Sequence, residues 1–429
     1  MARETKSLIF LLYAFLLYAL TMFPLIIFDD GRGELGPMTD LRAAFEVRTG
    51  LLRTCERLAA AWPGALAGYW MPPRLAALVA ERARSPVNQM PQQGGTILLA
   101  SGRWALPDAS HKLQPGEALV ERDTGHVVLA LLARADAEAF LKSNQLPDRI
   151  RTQTTDARVL YRDPWDVIAW MKQTIPRDIA ATRLPDAQFA QDVATVMGQQ
   201  PVEIDHSAKI CPNVTLDAEA GPIIIGERAV IRPGSVLIGP CAICADTIVI
   251  DRALIKANTV IGPQCKVAGE VGATIFQGCS NKAHDGHLGD SWVGKWVNFG
   301  AGTTNSNLLN TYGEVVMRTE PDSPRQRTGL QFLGAIVGDH AKFAICTRIM
   351  TGSVIGTGAM IASTAPPPTT VKRFAWLTDE GERTFRLDKF LEIAKTVMER
   401  RKVTPSAVYV RAVRELHAHE TQEAAAATR

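Results

Sequence analysis

"IGERAVIRPGSVLIGPCAICADTIVIDRALIKANTVIGPQCKV", residues 225–267, repeats every six residues. Stepping by six gives Ile225, Ile231, Leu237, Ile243, Val249, Ile255, Ile261 and Val267, all aliphatic. Four places after each stands Ala229, Ser235, Cys241, Thr247, Ala253, Thr259, Cys265 or Val271, all small or medium-sized. An amphipathic helix repeats near 3.6 residues and a half-buried strand at 2, so neither accounts for this period. A six-residue unit with one aliphatic facing inward and one small residue at a tight corner specifies a parallel β-helix, three units to a triangular coil. The same rule holds at Ile204, Ile210 and Leu216, at Val293 and Phe299, and at Val337, Phe343, Ile349, Ile355 and Ile361. Together these predict eighteen units, or six coils, within a domain at 201–370.

Working outward, Cys241 and Cys244 form a lone C-x-x-C, but Cys241 and Cys265 fall on the small-residue stack, which reads as packing and not as metal or redox chemistry. Upstream, "PLIIFDD", "GTILLAS", "GEALVER" and "HVVLALLA" read as strands, and 40–62 and 164–184 carry helical spacing, so 22–200 is expected to be an α/β domain. Downstream, 371–429 reads as a helical tail. Its apolar spacing at Leu387, Phe390, Leu391, Ile393 and Ala394 suits packing on the β-helix or on a partner subunit. Residues 8–28 are apolar apart from Thr21 and Pro24. Pro24 leaves only 8–23 ahead of it, short of the roughly 20 residues a spanning helix needs. The extension 1–21 therefore reads either as a start-site artefact, with translation from Met22, or as a signal anchor, and a membrane partner is expected only in the second case.

The chain has 429 residues, 47 Lys+Arg against 44 Asp+Glu, and 46% hydrophobic residues. That balance, with no basic run interleaved with aromatics, argues against a nucleic-acid partner. Seven scattered cysteines do not form a disulfide framework, which favours a reducing, cytoplasmic compartment.

The repeat breaks at 273–292 and at 305–336, and irregularity in a consistent array marks a functional region. "SNKAHDGHLGDSWVGKWVNFGAGTTNSN" (280–307) fills the first break and runs to the second. It resembles the acetyltransferase signature of the bifunctional bacterial enzyme that makes UDP-N-acetylglucosamine, and of archaeal sugar-phosphate acetyltransferases: a His leading into L-G-D, then V-N-x-G-A-G-T, then an Asn. "LGAIVGDHAKFAICTRIMTGSVIG" is similar to the coils that follow in that family. With "FDDGRGELGPMTDLRAAFEVRTG", "YRDPWDVIAW" and "RLDKFLEIAKTVMERRKV", the chain resembles the bacterial sugar nucleotidyltransferase or glucosamine-1-phosphate N-acetyltransferase group. The resemblance implies a nucleotidyltransferase-like α/β domain, a left-handed parallel β-helix of hexapeptide repeats, and a homotrimer with acetyl-CoA bound along the coil between subunits. It also implies His284 as base, with His287, Asn298, Asn307 and Lys282 toward the sugar phosphate. Gly300, Ala301 and Gly302 would border the thioester, and Lys342 and Arg348 would meet the CoA phosphates.

The residue types suit that chemistry on their own account. Amine acetylation needs a base working near neutrality, for which histidine is suited. The tetrahedral intermediate needs hydrogen-bond donors on its oxyanion, and a Gly-Ala-Gly turn offers closely approachable N–H groups. Asparagine both donates to and accepts from sugar hydroxyls. The family lysine that follows the second asparagine is missing from "LLNTYG"; Arg318, Arg325 and Arg327 are candidates to replace it. A zinc hydration site would need three protein ligands. Only His284 and His287 cluster, with His206 and His340 in other coils, so no metal site is expected there.

In the first domain "DDGRGELGPMT" resembles the phosphate loop of sugar-1-phosphate nucleotidyltransferases but is one residue shorter, with Glu34 near the place of the family arginine. A negative charge facing a triphosphate is unfavourable. Gly31, Arg32, Gly33 and Arg42 are the residues left to hold UTP or dTTP, and Mg²⁺ is implied only if this domain is active. The expected function is acetyl-CoA-dependent N-acetylation of an amino-sugar phosphate, with sugar-1-phosphate nucleotidyl transfer as an added activity. The alternatives are uridylyl or thymidylyl transfer as the main activity, and a non-catalytic trimeric scaffold that binds nucleotide sugar.

Overall fold

The structure is a computed structural model that describes residues 23–427; the expected extension at 1–21 lies outside the described residues. Among those described, no helix is long and apolar enough to cross a membrane. The chain forms two compact units. One takes the chain up to Gly33 together with Arg42–Glu46 and Leu52–Arg162; the other takes Glu34–Leu41, Val47–Leu51 and everything from Asp163 onward.

In the first unit, strands β1 (Leu25–Phe28), β2 (Leu66–Trp70), β3 (Thr96–Ser101), β4 (Glu117–Glu121), β5 (Val127–Ala133) and β6 (Arg151–Thr155) form one sheet in the order β2-β1-β3-β5-β4-β6. Both neighbours of β1 run parallel to it, and β5 is antiparallel to β3 and β4. Each of the four expected strands is present. Their inward residues, among them Ile26, Phe28, Ile97, Leu99 and Leu132, build the core with Phe140. Phe140 lies on the helix α3 (Arg134–Ser143), behind α1 (Thr54–Ala61) and α2 (Pro73–Ala80) in sequence. The helix expected over 40–62 is realised only as α1 and a short 3₁₀ turn at Ala44–Glu46. Residues 42–46 and 47–51 are claimed by different units, so no single apolar stripe organises that stretch.

The second unit is a parallel β-solenoid. A ten-stranded and a fourteen-stranded sheet run along it. One inward row reads Ile231, Val249, Val267, Lys282, Phe299, Phe343, Ile361 and Leu377. Another reads Ile204, Ile225, Ile243, Ile261, Phe276, Val293, Val337, Ile355 and Val371, nine rungs rather than six. The hexapeptide count falls short because some coils leave the six-residue step: inward residues 271 and 276 are five apart, and 305–337 carries an inserted hairpin between Val316–Met317 and Gln326–Arg327. Cys241 and Cys265 are fully buried on the small-residue stack, where burial pushes the Cys241 thiol up to about 12.

Two N-terminal segments belong to this unit. Arg48 donates its N–H to Gln277 Oε1 (2.7 Å), while its carbonyl accepts from Gln277 Nε2 (2.7 Å) and Trp292 Nε1 (2.9 Å). Helix α4 (Pro164–Ala181) packs against the solenoid strands Cys241–Ile243 and His287–Lys295, so the second unit begins well before residue 200. Past the last rung, α5 (Leu387–Glu399) buries Phe390, Ala394 and Met398, with Phe374 edge-on to Phe390 at 5.1 Å, and α6 (Ala407–Ala427) follows.

Candidate active site

Three consecutive coils set the site. The inward row runs Val267, Lys282, Phe299 on one face and Val271, Leu288 on the next. The corner between these faces takes four steps at 267–271 but six at 282–288, so the His284 corner bulges beyond the coil stacked on it. His284 and Asp285 are exposed on that bulge. The His284 ring meets no hydrogen-bond or ion-pair partner among the described residues. The next corner is Gly300, Ala301, Gly302. A Cβ on Gly286, whose φ is +118°, would lie 2.1 Å from Thr303 O, so the two corners are in close backbone contact. Gly302 has φ +72° and faces Cys346 Sγ. The Gly300 N–H is bound to Phe343 O (3.0 Å) and the Ala301 carbonyl to the Cys346 N–H (2.7 Å). The N–H groups of Ala301 and Gly302 have no partner among the described residues, which leaves two donors at this corner.

Beside it, His287 and Asn307 converge on Gly289: a Cβ there would lie 2.5 Å from His287 Nε2 and 2.9 Å from Asn307 Nδ2. His287 Nδ1 is 3.4 Å from Glu270 Oε1, directly beneath it in the ladder. Lys256 Nζ also reaches that oxygen at 3.1 Å, and its hydrogen bond, with the His287 charge, holds the Glu270 carboxyl low against the smaller effect of burial. Asn307 Nδ2 donates to Asp290 Oδ2 (2.6 Å), while burial pushes the Asp290 carboxyl up. Glu270 carries no signal in the sequence, and Asp290 appears there only as the last residue of the L-G-D motif, without a role. The ladder that seats Glu270 under His287 appears only when the count restarts at Val271. Asn305 was missed too: it stands inward and grips Gly289, accepting its N–H (2.8 Å) and donating to its carbonyl (2.9 Å).

Other expected contacts fall elsewhere. Lys282 does not face outward: it is 2% exposed, replaces an aliphatic in the core row, and donates from Nζ to His284 O (2.9 Å) and Ala268 O (3.2 Å). Burial lowers its ammonium to about 8. Lys342 is half-buried with Nζ on Trp296 O (2.6 Å) and His340 O (3.0 Å). Arg348 is exposed, with Nη2 on Thr364 O (3.1 Å), and Asn298 is exposed two residues before Gly300. Arg327 pairs with Glu314 and Arg318 with the Pro321 carbonyl. His340 is buried, bonded through Nε2 to Tyr409 Oη (2.7 Å). Among the described residues no group of three or more His, Cys, Asp or Glu is placed to hold a metal ion.

In the first unit the chain passes from β1 to β2 on one side and then from β2 back across to β3 on the other side of β1, a switch point that puts the ligand crevice of such a sheet at the carboxyl ends of β1 and β3. Asp29, Asp30 and Arg103 occupy that place. Asp29 accepts the Gly31 N–H (2.9 Å) and the Ala44 N–H (2.7 Å); burial, outweighing these bonds, pushes its carboxyl up. Asp30 accepts the Arg32 N–H (3.1 Å) and takes Arg103 Nε and Nη2 at 3.1 and 2.7 Å. Burial alone would raise the Asp30 carboxyl, but the buried Arg103 guanidinium holds it low. The Gly31 and Arg32 N–H groups expected to cradle phosphate are thus bound to the loop's own carboxylates. Arg32 reaches Asn144 O (3.2 Å), and Arg42 is buried. The residues as placed do not fit a magnesium triphosphate.

Residues 25–184 match the family model described as sugar nucleotidyl transferase. The relatives this chain resembles are transferases of the nucleotidyl and acetyl kinds. One, the bifunctional sugar-1-phosphate nucleotidylyltransferase/acetyltransferase of Sulfurisphaera tokodaii, is 30% identical over 143 residues, 33% of this chain and 35% of that protein. The bifunctional protein GlmU of Methanococcus maripaludis is 32% identical over 145 residues, 33% of this chain and 34% of its own. GlmU of Thermotoga maritima is 23% identical over 219 residues, 47% of this chain and 45% of its own. The chain spans about a third of the length of the first relatives it matches. A solved UDP-N-acetylglucosamine acyltransferase of Francisella novicida is similar over 49% of this chain and 73% of its own, at 15% identity and a TM-score of 0.28.

Proposed function

We propose that the solenoid unit transfers an acetyl group from acetyl-CoA to the amine of an amino-sugar phosphate. The observation that carries this reading is the close backbone approach of Gly286, two residues past the exposed His284, to Thr303 at the end of the Gly300–Gly302 turn, which supports taking the two corners as one site. In this reading His284 takes a proton from the substrate ammonium, and the freed nitrogen attacks the thioester carbonyl. The Ala301 and Gly302 N–H groups receive the oxyanion, the nitrogen gives its second proton to solvent, and the intermediate collapses with CoA thiolate leaving and taking the proton held on His284. His287, held by Glu270, and Asn307, held by Asp290, supply sugar contacts. A left-handed wind and a homotrimer that completes the acetyl-CoA groove belong to the same proposal.

The match over 25–184 favours a second reading, nucleotidyl transfer by the first unit; the Asp29 and Asp30 bonds speak against it. Purified protein given acetyl-CoA and glucosamine-1-phosphate is expected to release thiol, and His284→Ala to abolish that release while acetyl-CoA still binds. A variant that acetylates as well as wild type rejects His284 as base. Pyrophosphate from UTP, Mg²⁺ and sugar phosphate would establish the second activity.

A further inference from the structure

A lysine in the aliphatic row of a solenoid calls for a reason, since charged side chains are almost never fully buried unless paired. Among the described residues Lys282 forms no ion pair, although the Asp285 charge acts on its ammonium; its hydrogen bonds go to the carbonyl oxygens of His284 and Ala268. Those oxygens lie where a six-step corner stacks on a four-step one. Along the strands the ladder joins coil to coil, as where Lys282 O accepts the Ala268 N–H at 2.7 Å. Over the mismatch the ladder runs out, and buried carbonyls without donors are costly. The far end of the same segment is treated alike, with Asn305 in an inward position gripping both backbone groups of Gly289.

We infer that Lys282 is a positioning residue for acetyl transfer: from inside the coil its ammonium fixes the carbonyl of His284 and so holds the bulged corner, and the imidazole on it, against the thioester. This rests on the reading of His284 as base. It departs from the outward, phosphate-binding role expected of Lys282, and it places both supports of the corner within the hydrophobic rows.

The test is Lys282→Met, which keeps the bulk and removes the donors, beside Lys282→Gln, which keeps an N–H donor without the charge, and Ile225→Val as a core control on another row. Hydrogen exchange of the 283–287 amides is measured with steady-state kinetics. The expected result is at least tenfold faster exchange confined to 283–287 in Lys282→Met, kcat down ten- to a hundredfold with the acetyl-CoA KM within twofold, and recovery of at least a third of wild-type kcat in Lys282→Gln. Unchanged exchange at 283–287, or unchanged kcat in Lys282→Met, overturns the inference, as does a loss shared equally by Ile225→Val. If Lys282→Met does not fold, Lys282→Gln decides: a hundredfold loss of kcat with unaltered exchange refutes it. Should wild type not acetylate glucosamine-1-phosphate, the exchange comparison alone decides, so failure of the substrate assignment and failure of this inference remain separate results.

Discussion

Arg373→Met tests how the segment 34–41 is fastened to the solenoid. In the native chain Arg373 Nε lies 2.9 Å from both Asp40 oxygens, and Nη1 lies 2.6 Å from Glu320 and 3.7 Å from Glu420. Asp40 is buried, and burial pushes its carboxyl up while the Arg373 charge opposes that. Removing one member of a buried pair leaves the other uncompensated, at about 3–5 kcal/mol. For a unit of this size that is roughly 5–9 °C in Tm. The sign with pH follows. An acid whose folded pKa lies above its unfolded value contributes stability at low pH that is lost as pH rises through the folded pKa. Without Arg373 the Asp40 carboxyl rises further, so the variant's deficit should widen from pH 5 to pH 8. Differential scanning calorimetry at both values, with Arg386→Met as an exposed-pair control, makes the measurement. A Tm loss no larger than the control's, or a deficit greater at pH 5 than at pH 8, refutes the reasoning.

Ile231→Ala, at a fully buried rung remote from the site, should cost about 2–5 kcal/mol in denaturant unfolding, since the row above and below cannot collapse into the gap. Asn305→Leu takes the Asn305 acceptor from the Gly289 N–H and leaves the Gly289 carbonyl with Ser291 Oγ, and should cost about 1–3 kcal/mol, read by the same unfolding, with acetyl transfer lost in the folded fraction. Gly302→Val places a β-branched residue at φ +72° with its Cβ 3.0 Å from Cys346 Sγ; strain of about 1–3 kcal/mol and loss of thiol release are expected. Titration of the whole protein with UTP and Mg²⁺ by calorimetry should show no binding to the closed Asp29–Asp30 loop, and a micromolar isotherm would contradict that.

The solenoid was legible because its constraint is local: an inward residue every six positions needs no knowledge of the partner coil. Its length was not, because the coils at 271–276 and 305–337 keep register by hydrogen bonding to their neighbours and not by spacing. Within the site, His284 and Gly300–Gly302 stood out as residue types in a motif, and the structure brings their corners together. Lys282 misled because a charged residue in a motif suggests a ligand contact. Only the ladder shows that it occupies a core row. The roles of Glu270, Asp290 and Asn305 were hidden for the opposite reason: even with Asp290 inside a motif, these are ordinary polar residues whose partners are set by which coil is stacked on theirs. The aspartates after β1 were read as neighbours of a phosphate loop. Asp30, which accepts the Arg32 N–H, is itself gripped by Arg103, seventy-three residues away.

The union of Arg48 with Gln277 and Trp292 spans 229 and 244 residues of chain. On the ribosome, at roughly 5–20 residues per second, residues 47–51 would wait about 12–50 s for those partners to be made. During that interval the first sheet can form around β1, β3 and β5, whose strands are all translated by residue 133, while residues 47–51 wait for the coils that hold them. Maturation therefore has an order set by synthesis, the early strip joining its own unit only after the solenoid coils at 277 and 292 exist.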